Sequence, residues 1–145
     1  MELHTKIHIE GHSLNANGTL KGANVFDYAD VTAFSIINDK FTRFHKHIGV
    51  VTSSATSKFI SPIFGYGFIE CFAEIVDCTP ARITVKTLIK YRERKGLEWI
   101  DAFEGTFYFT CIDRETRKVY KLSKEEGGDP EIIISDSTHL DWWVN

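Results

Sequence analysis

The 145-residue chain has no excess of basic charge: 17 Lys and Arg stand against 20 Asp and Glu, a net charge of −3. A general attraction for nucleic acid is therefore not expected. No run approaches the roughly 18 to 20 apolar residues that a membrane-spanning helix needs. The opening Met1-Glu-Leu-His-Thr-Lys6 lacks the apolar core of a secretory leader. Both absences point to a soluble protein of the cytoplasm. Cysteine is scarce: Cys71, Cys78 and Cys111 make an odd number and fit no zinc spacing. They are expected to be buried, reduced and hydrophobic in role. No internal repeat is present. What the chain does have is aromatic residues, 13% of the total with 11 Phe, within an ordinary 43% hydrophobic content. The length suits one domain burying about two-thirds of its unfolded surface.

Residues 3–9 alternate and read as a strand, and residues 10–21 read as a polar loop. From Gly22 to about Phe41 the period becomes helical, with Ala23, Phe26, Ala33, Ile37 and Phe41 on one broad face. A short basic linker, Arg43-Phe-His-Lys-His47, follows. The period then switches to two. Strands are expected over 49–60, 67–77, 81–94 and 97–113, with a shorter one at 118–122. Within them Ile83, Val85, Ile89 and Tyr91 share one face, and so do Trp99, Phe103, Phe107 and Phe109. Lys124-Glu-Glu-Gly-Gly-Asp-Pro130 reads as a linker. Beyond it, Trp142-Trp143 are expected to pack on the domain or a sister subunit, or to form a lip over a pocket. The expected division is a domain at 1–123 and a tail at 124–145. Strand, loop, long helix and consecutive antiparallel strands define an α+β fold, a curved sheet of five to six strands wrapped around one helix.

Asn15-Ala-Asn-Gly-Thr-Leu-Lys-Gly22 opens directly into that helix. Gly18 and Gly22 permit tight turns and close ligand approach. The first N–H groups of the helix, at Gly22 and Ala23, have no intrahelical partner, so they offer donors and the positive dipole end to an oxyanion. Asn24, Asp27, Ser35, Asn38 and Asp39 form the polar sector, and Asp27 is expected in solvent. Asp30 falls outside it, in or at the edge of the apolar face. A carboxylate there is costly unless it is paired or used. It either pairs with a buried cation or serves as general base or nucleophile. Asp30 stands about 10–12 Å along the axis from the helix start, too far for both to act on one group within a single subunit. The spacing suits a site shared by two subunits.

The stretch Asn15-Ala-Asn-Gly-Thr-Leu-Lys-Gly-Ala-Asn-Val-Phe-Asp-Tyr-Ala-Asp30 resembles the signature of hot-dog-fold acyl-CoA thioesterases, the cytosolic acyl-CoA thioester hydrolase branch in particular. In that branch Asn-x-x-Gly-Thr-(Leu/Val)-(Phe/His)-Gly-Gly precedes a helix with Met-Asp two turns in. The likeness continues through Val51 to Ile63, where the family has a strand ending in Phe-x-x-Pro-(Val/Ile). It implies a dimer, often assembled further into a hexamer, with active sites at the dimer interface and no cofactor. It implies Asp30 as general base or nucleophile and the Ala23 N–H of the partner as oxyanion donor, worth about 3 kcal/mol. Thr19 or Asn17 would orient water or the carbonyl. Ala23 replaces the second Gly, Lys21 replaces an aromatic or His, and Gly65-Tyr66-Gly67 replaces a loop with Gly-Asp. The implied partner is an acyl-CoA substrate, with coenzyme A and acyl-carrier protein both open as carrier.

A polyanionic carrier needs local cations. Lys58, Arg82, Lys86, Lys90, Arg92, Arg94 and Lys95 are candidates; Arg92-Glu-Arg94-Lys95, at a strand end, is the densest group. His4, His8 and His12 repeat every four residues, but the local period is two, so surface positions rather than a metal face are expected. Hot-dog hydratases use a His with a carboxylate, and no His lies on or just before the helix. The alternative function is a non-catalytic hot-dog module that binds an acyl or CoA ligand, with Asp30 a structural pair.

Overall fold

The computed structural model describes residues 1–9 and 14–123, so His12 and the tail with Trp142 and Trp143 lie outside the described residues. Strand β1 (Glu2–His8) leads through the loop into helix α1 (Gly22–Ile37), which continues as a π-helical turn (Asn38–Thr42). Then come β2 (Ile48–Phe59), β3 (Phe68–Cys78), β4 (Arg82–Arg92) and β5 (Ile100–Asp113). The five strands form one antiparallel sheet in the order β1-β3-β4-β5-β2. Alternation sets its two faces. Ile69, Cys71, Ala73 and Ile75 of β3, Ile83, Val85, Ile89 and Tyr91 of β4, and Phe103, Phe107 and Phe109 of β5 are buried. The helix lies on that inner face and buries Val25, Ala29, Thr32, Ala33, Ile36 and Ile37. Phe26 packs on Phe107 with ring centroids 5.3 Å apart. Thr32, inside the core, satisfies its hydroxyl by donating to the Tyr28 carbonyl at 2.7 Å.

The three cysteines are buried thiols, not joined in disulfides. Burial raises the Cys71 thiol to about 11 against a slight opposing effect of Thr32, and it also pushes Cys78 up.

The buried stripe of the helix differs from the expected one. Ala23 is exposed and Phe26 half-buried, whereas Phe41 is fully buried. On a straight α-helix Ala23 and Phe41 share an azimuth. The π-helical turn winds by less than 100° per residue, so it rotates Phe41 back into the core. The same rotation buries Lys40, whose Nζ meets Glu2 Oε1 at 2.7 Å. The expected strand at 118–122 is reduced to one bridge, Ile112 with Val119. Beside β5 that segment runs directly into the position that β4 occupies from Arg82 onward, as the bonds Tyr120 N–H to Cys111 and Leu122 N–H to Pro80 show. Trp99 precedes β5 and is 36% exposed, so it does not join the buried row of phenylalanines.

Strand β2 is an edge with one hydrogen-bonded neighbour. From Val51 to Ile60 its side chains are exposed apart from half-buried Ala55. The adjoining flank of α1 leaves Val31 and Phe34 exposed. An open edge strand of 12 residues and uncovered apolar side chains are features that strand pairing and partner chains commonly cover.

Candidate active site

The loop before α1 is held by Asn15. Its side-chain oxygen accepts from the Asn17 N–H at 2.9 Å, the Thr19 N–H at 3.2 Å and the Thr19 hydroxyl at 3.0 Å. Gly18 sits at φ 76°, a left-handed conformation that glycine adopts without strain. The Leu20 N–H donates to Ile63 at 2.7 Å and the Gly65 N–H to Gly18 at 3.1 Å, so the loop docks on the segment after β2. Thr19 therefore commits its proton to Asn15, and Asn17 is exposed on the turn.

At the helix start the Lys21 carbonyl accepts from Asn24 and Val25. No side chain caps this end and the first turn holds no acidic residue. The N–H groups of Gly22 and Ala23, both exposed, remain available to a ligand. Beside them lies a cavity of about 300 Å³ lined by Thr19, Gly22, Val25, Phe59, Pro62 and Ile63 among others. The Phe-x-x-Pro-Ile run of the sequence thus forms the wall facing the glycine. A Cβ on Gly22 would rest 3.6 Å from the Phe59 ring, an ordinary contact, so Gly22 is not required by packing within the protomer.

Asp30 stands on the rim of the apolar face, half-buried between core and solvent. Its Oδ1 accepts a hydrogen bond from the Thr52 hydroxyl of β2 at 3.1 Å. Among the described residues no Lys or Arg forms an ion pair with it. Thr52 was not visible as a site residue, because a Thr in a Val/Thr/Ser-rich strand carries no distinguishing pattern. It lies at a bulge: the β2–β5 register slips between Thr52 and Ser54, and Ser53 turns its hydroxyl to the Tyr108 carbonyl. Asp27 is exposed, as expected. Thr19 and Gly22 are brought together at the cavity, with Ala23 next in the chain but outside its lining; Asp30, two turns on, stands beside the open edge.

The cations divide into groups. Lys58 and Lys86 line a shallow cavity of about 440 Å³ on the outer face with Glu104. Lys90 pairs with Asp101 at 3.8 Å, and Arg82 lies over Tyr108. Arg92 is held between Phe68 and Trp99, its guanidinium carbon 5.3 and 5.2 Å from the two ring centres. His8 stacks on the other side of Phe68 at 5.2 Å. His8, Phe68, Arg92 and Trp99 therefore form one row across the outer end of the sheet. Arg92 Nε is buried without a hydrogen-bond partner. Arg94 and Lys95 follow in an exposed turn.

The helix and the five-stranded sheet together make the hot-dog fold. No protein-family profile and no curated protein sequence matches the chain. Solved structures do. A hexameric thioesterase of Yersinia pestis is 20% identical with a TM-score of 0.73, over 84% of this chain and 95% of that one. A hexameric broad-specificity acyl-coenzyme A thioesterase, crystallised with one aspartate changed to alanine, is 17% identical with a TM-score of 0.75, over 93% and 98%. A Thermus thermophilus thioesterase complexed with coenzyme A and zinc is 10% identical with a TM-score of 0.70, over 92% and 95%. At such identities the likeness establishes the fold.

Proposed function

We propose that the chain is an acyl-CoA thioesterase, hydrolysing an acyl-CoA to a carboxylic acid and coenzyme A, and that it works as a self-associated dimer or a hexamer built of dimers. The observation that carries the reading is one helix with two chemical ends: an uncapped N-terminus over a cavity, and a half-buried carboxylate at Asp30 beside an open strand. The similar structures include hexameric thioesterases and one that binds coenzyme A, which supports the same direction. In this scheme the Ala23 N–H, with that of Gly22, holds the thioester oxygen as charge develops. Asp30 of the neighbouring copy activates water or attacks the carbonyl. Thr19 and Asn17 border the oxyanion side. A thiolate leaves readily, so one base and one oxyanion site suffice. Arg92, Arg94 and Lys95 bind the carrier phosphates, with Lys58 a more distant contributor; Arg92 is preset by its two rings.

The test is hydrolysis of an acyl-CoA panel by the native chain and by Asp30→Asn. Turnover should fall about 100- to 10,000-fold with the melting temperature little changed. Full activity of the variant on every hydrolysed thioester would exclude Asp30 as the base. The Thr52–Asp30 hydrogen bond gives the carboxylate a structural partner, and so favours one second reading, a module that binds acyl or CoA ligands without cleaving them. Thermal stabilisation by acyl-CoA with no product released would select that reading.

A further inference from the structure

The outer face of the sheet, turned away from α1, carries the cavity of about 440 Å³ that Lys58 and Lys86 line, and it shares no lining residue with the cavity at the helix start. Two neighbouring rows of the register build it. Thr56, Thr106 and Lys86 stand side by side on β2, β5 and β4, and the next row is Lys58, Glu104 and Leu88. Residues paired across antiparallel strands point to the same face. The threonines are short and the side chains around them long, so the middle is hollow. The charges at the rim are left open. Lys6, Lys40 and Lys90 pair with Glu70, Glu2 and Asp101, whereas neither Lys58 nor Lys86 forms an ion pair among the described residues. Glu74, opposite Lys86 on β3, turns instead to the Met1 ammonium at 3.7 Å. Glu104, opposite Lys58, has no cation within ion-pair distance among the described residues. Both lysines and Glu104 are exposed, so their charged ends are presented to solutes.

We propose that this cavity is a second ligand site, for a small sugar phosphate: the two ammonium groups hold the phosphate, and a sugar hydroxyl donates to Glu104. A lysine ammonium is a compact charge suited to phosphate. Lys58 and Lys86 stand diagonally on either side of Thr106. The Thr56 and Thr106 hydroxyls can donate to the remaining phosphate oxygens. A bare anion fits less well, because Glu104 repels it. An ester that also carries hydroxyl groups turns that carboxylate into an acceptor. An apolar ligand would strip water from three charges and replace it with nothing. The thioester carrier is not the occupant. Gly22 and Asp30 belong to α1, on the other face of the sheet, and Arg92, Arg94 and Lys95 serve the carrier phosphates. Lys58, given a distant part in carrier binding above, has its main role here. The inference does not depend on the thioesterase reading.

Calorimetry on the full chain, with ribose 5-phosphate and inorganic phosphate as probes, tests the site. Ribose 5-phosphate should bind more tightly than phosphate, and both should weaken as salt is raised. Lys86→Gln should weaken both about two- to fivefold, the scale of an exposed charge pair. Glu104→Ala separates the two probes. Phosphate should bind more tightly once the repelling carboxylate is gone, and the preference for the sugar phosphate should shrink about twofold or more. Both side chains are exposed, so the melting temperature of each free variant should stay level. Coenzyme A in excess should leave bound ribose 5-phosphate in place. Failure of the native chain to bind ribose 5-phosphate, equal affinity for the two probes, unchanged binding in Lys86→Gln or an unchanged preference in Glu104→Ala would each overturn the proposal. Displacement by coenzyme A would overturn it too, by giving the cavity to the carrier. Binding is read without turnover, so an absence of hydrolysis would count against the enzyme reading alone.

Discussion

At the scale of single residues, placement rather than identity makes Asp30 informative. It stands half-buried at the rim of the core with no cation paired to it, and its one described partner is the Thr52 hydroxyl. Thr52→Val keeps the shape and removes that donor. The carboxylate should become less well oriented and turnover should fall about three- to tenfold, with KM nearly constant in steady-state assays. The core thiols make a different prediction. Cys71 holds its proton in the folded state up to about 11, against an ordinary 9.0. Between those pH values the unfolded chain has lost a proton that the folded chain keeps. Stability must therefore fall as pH rises from about 9 to about 11. Urea unfolding across that range should show the decline, and Cys71→Ala should lessen it, the raised Cys78 thiol accounting for the remainder. Gly105 shows how tight the same core is: a Cβ there would lie 2.8 Å from Phe103, 2.9 Å from Phe107 and 3.0 Å from Thr87. Gly105→Ala should lower the melting temperature measurably in a thermal scan, by overpacking worth about 1–3 kcal/mol.

Among the elements, β3, β4 and β5 were legible because each alternates over 11 residues or more, and α1 because its period changes cleanly at Gly22. Two features were not. The π-helical turn at Asn38–Thr42 leaves no mark in the apolar pattern, so Phe41 was grouped with Ala23 when packing separates them. The segment 118–122 has a strand's composition, but β4 already occupies the edge it would need. Strand β2 carries the largest prediction at this scale. Its edge is exposed, and so are Val31 and Phe34 on α1. Phe34→Glu should place charge on the helix flank and shift the protein toward monomer, measured by light scattering coupled to size exclusion, while circular dichroism stays native.

For the whole molecule, the candidate site was legible as a loop-to-helix motif and a misplaced carboxylate, both local in sequence. The Phe68–Arg92–Trp99 stack was not, because it depends on strand register. The proposed assembly has a decisive test. Asp30→Asn removes the base, and Ala23→Pro removes the oxyanion donor at a first-turn position that tolerates proline. Each should be nearly inactive alone. If each site draws one group from each copy, a heterodimer retains one intact site. Randomly mixed subunits should then recover about a quarter of native activity. Recovery of none after verified subunit exchange would place both groups in one copy.

The burial of all three cysteines has a further use. No thiol of this chain is presented to solvent, so the native protein is already a silent background for thiol chemistry. A cysteine introduced at Leu97, which is 91% exposed, would be the sole fast-reacting group on the surface. A spin label or fluorophore there would report directly on the 93–98 turn as ligands come and go. The same label at Val51 would test whether two copies meet across the strand edge.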